Sequence, residues 1–159
     1  MTFLEKQTDP TTPMHWCGDM QADYLYTSGV AGDRLFKHLK EKDSFLANKC
    51  PSCKKVFFPP RLFCEDCFKE ILDEEWIEIP KTGTIKLYTV VTIDTYGNKL
   101  EKPKVIALIN IDKTDSTILG MIKTENPNEE LLNVKVEAVL KPKNKREGNL
   151  KDILFFKRK

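Results

Sequence analysis

Five cysteines stand in a chain of 159 residues, and four of them fall within "CPSCKKVFFPPRLFCEDC". Cys50 and Cys53 form one Cys-x-x-Cys pair, and Cys64 and Cys67 form a second. Each such knuckle turns two thiolates toward one point, and two knuckles fill the tetrahedral shell that zinc prefers. A shell closed by four thiolates has no position left for water or substrate, so a metal held there is structural. Iron in a rubredoxin-like site is the rival metal. The spacing points to a metal and leaves open what the metal serves.

Other chemistry is sparse. The two histidines, His15 and His38, lie in no recognisable catalytic motif, and the seven glycines are scattered rather than gathered into a phosphate loop. Cys17, in "HWCGD" beside Trp16, would need one of those two histidines as its base to act as a nucleophile. The plainer reading of that stretch is a packed Trp next to a free thiol. The composition argues against independent catalysis.

Clustered cysteines without a secretory leader favour metal over disulfides, so a cytoplasmic setting is expected. No apolar run reaches the roughly 20 residues of a membrane span. The formal charge is +2. Four bound thiolates add about −4 and one zinc ion +2, so the loaded chain sits near neutrality. Global charge therefore says little for nucleic-acid binding. Local charge remains, in Lys141, Lys143, Lys145, Arg146, Lys151, Lys157, Arg158 and Lys159.

The elements that position the cysteines follow from pattern. Residues 1 to about 28, with Pro10 and Pro13, read as an extended arm. In "GVAGDRLFKHLKEKD", Val30, Leu35, Phe36 and Leu39 fall near helical spacing, with lysines and acids opposite. "SFLANKC" reads as a strand into the first knuckle, and "EEWIEIP" as a strand ended by Pro80. Beyond Lys81 come five strand-like segments: "GTIKLYTVVTID", "KVIALINID", "STILGMIK", "NVKVEAVLK" and "DILFFKRK". "NPNEELL", between the third and fourth, reads as a helical turn. The expected architecture is mainly β: an N-terminal arm and helix over 1–44, a rubredoxin-like zinc ribbon over 45–80, and a five-stranded OB-type barrel over 81–159.

The ribbon is too short to bury much core alone. Metal binding supplies on the order of 10 kcal/mol of folding free energy in small zinc domains. "VFFPPRLF" would then hold Phe57, Phe58, Pro59, Pro60 and Arg61 on a stiff hairpin, its prolines removing backbone freedom. The alternative is that the phenylalanines form the ribbon's own small core.

The order helix, ribbon with "PPR", then barrel resembles the acyl-CoA-associated zinc-ribbon/OB-fold family, formerly a domain of unknown function. The residues that carry it are "YLYTSGVAGDRLFKHLKEKDSFLANKCPSCKKVFFPPRLFCEDC", "GTIKLYTVVTID" and "KPKVIALINID". The match runs from Tyr24 to the C-terminus. The resemblance implies a non-catalytic companion of a thiolase-type acyl-CoA enzyme. Members resemble the archaeal scaffold between acetoacetyl-CoA thiolase and 3-hydroxy-3-methylglutaryl-CoA synthase, or the small subunit of benzoylsuccinyl-CoA thiolase. It implies that catalytic residues lie on the partner and that Phe58, Pro59, Pro60 and Arg61 face CoA. In physical terms, Lys55 and Arg61 could meet phosphates through charge-assisted hydrogen bonds, with Phe57 or Phe58 on adenine or the pantetheine arm. Arg61 could equally form an ion pair with Glu65. The alternative function is a zinc-ribbon/OB-fold nucleic-acid-binding protein. Against it, no barrel strand visibly interleaves aromatics with cations.

Overall fold

The computed structural model describes residues 26–159. His15, Trp16, Cys17 and most of the expected arm lie outside them. One helix, α1 (Gly29–Glu41), leads into a three-stranded antiparallel sheet of β1 (Phe45–Lys49), β2 (Val56–Phe57) and β3 (Trp76–Ile79), in the order β2-β1-β3. There follow β4 (Thr82–Ile93), β5 (Lys99–Ile111), β6 (Thr117–Lys123), β7 (Lys135–Leu140) and β8 (Ile153–Arg158). These five close into a barrel in the order β4-β5-β6-β8-β7. All its pairings are antiparallel except β6 with β8. Among the described residues no helix is long and apolar enough to cross a membrane.

Period-two patterning sets the barrel. Along β7, Val136, Ala138 and Leu140 are buried while Lys135, Glu137 and Val139 are less so. Ile109 and Ile111 point inward on β5 and Phe156 on β8. Gly120 lets the Phe156 ring lie against β6, since a Cβ there would come within 2.6 Å of the ring. On α1, Leu35 and Leu39 are buried, whereas Val30, expected on the apolar stripe, is exposed in the first turn.

One hydrophobic core runs through helix, ribbon sheet and barrel, from Leu35 and Leu39 through Phe45, Phe58 and Ile79 to the barrel interior. Polar contacts seal the junctions. Asp115, in the β5–β6 turn, takes the Val56 N–H at 2.9 Å, and its own N–H donates to the Val56 carbonyl at 2.9 Å. Arg34 on α1 grips Asp73 through both guanidinium arms, at 2.5 and 3.1 Å, and lies over the Trp76 ring. Arg146 donates to the carbonyls of Leu39, Lys42 and Lys141 and to Asp43, tying the end of α1 to the segment before β8.

The expected helical turn at "NPNEELL" is absent. The segment is a pair of tight turns, with Glu129 N–H on the Asn126 carbonyl and Val134 N–H on that of Leu131. Side chains take the backbone donors a helix would use: Thr124 accepts from Asn126 N–H, Asn126 from Asn128 N–H, and Glu130 from Leu132 N–H. Pro127 has no donor to offer.

Asp152, fully buried before β8, anchors the segment that leads into it. Burial opposes its charge, but the N–H groups of Glu147, Gly148 and Asn149 at 3.1, 2.7 and 3.2 Å, with Lys141 at 3.3 Å, hold its carboxyl below the usual range. A depressed native value means that its stabilising contribution is full above about pH 4 and fades as the pH falls through that native value. Asp152→Ala should cost about 3 kcal/mol at neutral pH in a denaturant titration, with the deficit shrinking in acid.

Candidate metal centre and the ribbon loop

Each knuckle is built the same way. Cys50 N–H donates to the Lys55 carbonyl at 2.8 Å, and Lys54 N–H returns to the Cys50 carbonyl at 3.1 Å. Cys64 with Lys69, and Phe68 with Cys64, repeat the pattern at 2.9 and 3.1 Å. The chain reverses at Lys54 and Phe68, whose φ values of 66° and 56° are left-handed. The two reversals bring the four Sγ atoms of Cys50, Cys53, Cys64 and Cys67 within 4.8 Å of one another. The pairs Cys50–Cys67 and Cys53–Cys64 stand at 3.5 Å. A tetrahedron with Zn–S bonds of about 2.3 Å has edges of about 3.8 Å. The cluster therefore fits one ion and could bind one zinc.

Its electrostatics ask for a cation. Burial opposes a thiolate at Cys50, yet the N–H groups of Cys53 and Ser52 and the neighbouring thiols lower it to about 6. The Lys55 N–H favours a Cys53 thiolate, but burial and the sulfurs of Cys50 and Cys64 push Cys53 up to about 12. A thiolate at Cys50 is thus favoured, and its charge opposes a second one at Cys53. A divalent ion removes that conflict, and its binding releases protons.

The loop between the knuckles differs from the expected display. Phe57 turns inward beside Cys50, Cys64 and Ile71 to form the ribbon's small core. Phe58 turns the opposite way into the main core and stacks on Phe45, centroids 4.6 Å apart. Pro60 is buried as well. Phe57 ends β2 and Phe58 directly follows it, and these neighbouring phenylalanines serve two cores. Of the six residues expected to face CoA, Lys55, Pro59 and Arg61 are exposed. Lys55 pairs with Asp66 at 2.7 Å, and Arg61 pairs with Glu65 while lying over the Phe57 ring. Buried Asn48 fixes the loop from below by accepting from the Arg61 N–H and donating to its carbonyl. The ribbon's exposed large apolar side chains are instead Leu62, Phe63, Phe68 and Leu72. Because the Arg61 ion pair is exposed, Arg61→Ala should lower stability by about 1 kcal/mol or less, read as a small shift of the thermal midpoint.

His38, the histidine among the described residues, is half-buried and shares a hydrogen bond with Ser44 at 3.0 Å. Burial lowers its pKa. No thiol stands beside it as a nucleophile, since the described cysteines all belong to the metal cluster.

Comparison with known proteins accords with this geometry. The ChsH2 rubredoxin-like zinc ribbon domain matches residues 41–73, which hold both knuckles. A DUF35 domain-containing scaffold protein of Methanocaldococcus jannaschii is 30% identical over 108 residues, covering 68% of this chain and 75% of the relative. The chain belongs to the DUF35 family. A second DUF35 scaffold protein, of Methanothermobacter thermautotrophicus, is 29% identical over 80 residues, covering 50% of this chain and 59% of its own length. Among solved structures, a DUF35 family protein of unknown function from Sulfolobus solfataricus superposes with a TM-score of 0.58 at 30% identity, over 70% of this DUF35 chain and 78% of the other. The Ltp2-ChsH2(DUF35) aldolase matches with a TM-score of 0.55 at 19% identity, over 79% and 91% of the two chains, a likeness of fold.

Proposed function

We propose that this DUF35 chain is a non-catalytic accessory subunit of a thiolase-type acyl-CoA enzyme complex. It helps to hold CoA and to organise an active site whose catalytic residues lie on the partner. The observation that carries the reading is the cysteine cluster itself. All four described thiols converge on one closed site, so the metal it fits has no open position for chemistry. Relatives named as scaffold proteins support a non-catalytic role. A fold neighbour that stands in a complex with Ltp2 supports a hetero-oligomer. The exposed side chains of Leu62, Phe63, Phe68 and Leu72 supply apolar surface on a rigid ribbon for such a partner. The barrel, with its parallel pairing of third and fifth strands, is read as OB-type.

A nucleic-acid role draws less support. Several cations of the basic C-terminal segment are engaged internally: Lys141 with Asp152, Arg146 with Asp43 and Arg158 with Glu129. The test is co-expression with a thiolase-type subunit from the same genome. One co-eluting complex that persists in high salt is the expected result. Separate elution, or salt-sensitive elution with nucleic acid, would contradict it.

A further inference from the structure

The ribbon cations expected to meet phosphate, Lys55 and Arg61, are already paired with carboxylates. Most other described lysines form no ion pair, and three of these are brought into line by strand register. Val105 faces Ile122 across β5 and β6, which sets Lys104 beside Lys123. Lys123 faces Lys157 in the parallel pairing of β6 and β8. Lys104, Lys123 and Lys157 thus form one row across three strands on the outer face of the barrel, and all three are exposed. The ion pairs of the described residues engage Lys135, Lys141 and Arg158 nearby and leave these three out. Like charges set directly opposite in a sheet repel. The row runs along two adjoining clefts that share Lys123, Thr124 and Phe155, one of about 440 Å³ reaching Lys157 and one of about 190 Å³ reaching Lys104. The acid lining them is Glu125, at the Lys157 end. Glu137, which faces Lys157 from β7, is drawn toward Lys81 at 3.8 Å. Next to the row the surface turns apolar. Ile106 faces Met121 in register, and Met121 and Phe155 line the same cleft. The Lys123 ammonium lies over the Phe155 ring at 5.0 Å.

We propose that the row Lys104–Lys123–Lys157, with Phe155 and Met121 beside it, is a binding site for the phosphates of a nucleotide-type ligand. Three ammonium groups in line match a ligand with more than one phosphate group. Phe155 and Met121 offer a flat apolar bed for a base or a slender methylene arm. The proposal deepens the accessory-subunit reading and rests on it for the ligand being a CoA-type molecule. It moves the phosphate anchor from the ribbon loop to the barrel face.

The test uses the zinc-loaded full chain without any partner. Adenosine 3′,5′-bisphosphate, inorganic pyrophosphate and a single-stranded oligonucleotide are titrated separately and followed by amide and side-chain NMR shifts. The bisphosphate should shift Lys104, Lys123, Phe155 and Lys157, and should bind more tightly than pyrophosphate. Replacing the three lysines together with Ala should weaken it at least about tenfold while zinc content and the β-sheet spectrum are kept. Shifts centred on Lys55 and Arg61, or none at millimolar ligand, would overturn the assignment, and this wild-type mapping holds even if the triple variant folds poorly. Tighter binding of the oligonucleotide at the same residues, falling steeply with salt, would assign the row to nucleic acid instead. Because no partner is present, a negative result here leaves co-elution with a thiolase-type subunit untouched, and a failure to co-elute leaves this result untouched.

Discussion

Cys50→Ser should abolish zinc binding and unfold the ribbon. Wild-type protein should carry about one zinc per chain by elemental analysis. The ribbon's own core is four buried residues, two of them cysteines, so little apolar burial remains once the metal is gone. Zinc binding of on the order of 10 kcal/mol is then the dominant stabilising term for this part of the chain. The damage should not stay local. Phe58 turns away from the ribbon's small core to stack on Phe45 in the main core, and β2 with the residue after it is bonded to the β5–β6 turn through Asp115 and Ser116. Loss of the knuckles frees both connections and exposes one side of the main core. Limited proteolysis should therefore cut between Lys49 and Ile71 first, with the barrel strands protected longer. Chelator treatment of wild-type protein provides the same readout if the variant is insoluble. A metal-free wild-type chain that resists protease as well as the loaded one would contradict this account. Acid should act in the same direction, because protons compete with the metal for thiolates.

What could be read from residue types alone was chemistry fixed by short spacing. The knuckles are local in sequence, so Cys50 with Cys53 and Cys64 with Cys67 announced the cluster that the fold assembles. Alternation along Val136, Ala138 and Leu140 announced a strand with one buried face. The loop was harder because "VFFPP" is a continuous apolar run with no alternation to read. Whether Phe57 and Phe58 face solvent or core depends on β2 docking against β1 and on Asp115 holding it there, contacts between residues far apart in the chain. The turn at "NPNEELL" was decided by Thr124, Asn126 and Glu130 bonding to nearby N–H groups, a competition that composition alone does not resolve. The lysine row was invisible for a different reason. It exists only through the register of β5, β6 and β8, and in the sequence its members are widely separated. The C-terminal lysines and arginines drew attention as a run, yet Arg146 proves to be a clamp on the end of α1.

The second large effect concerns the complex. With a thiolase-type partner, this chain should be required for turnover, while supplying none of the reacting groups. A stable association should bury at least about 1,000 Å². The exposed apolar side chains of Leu62, Phe63, Phe68 and Leu72 are the ribbon surface proposed to contribute, and Phe68, 80% exposed at the reversal of the second knuckle, is its most prominent member. Phe68 packs no core, so its replacement by Asp should weaken the complex while leaving zinc content unchanged. The most direct measurement is the rate of β-ketoacyl-CoA cleavage by the partner alone, by this chain alone, and by the two together. Turnover is expected only from the pair, with none from the small chain. A partner as fast and as stable alone as in the mixture, or turnover by the small chain itself, would contradict it.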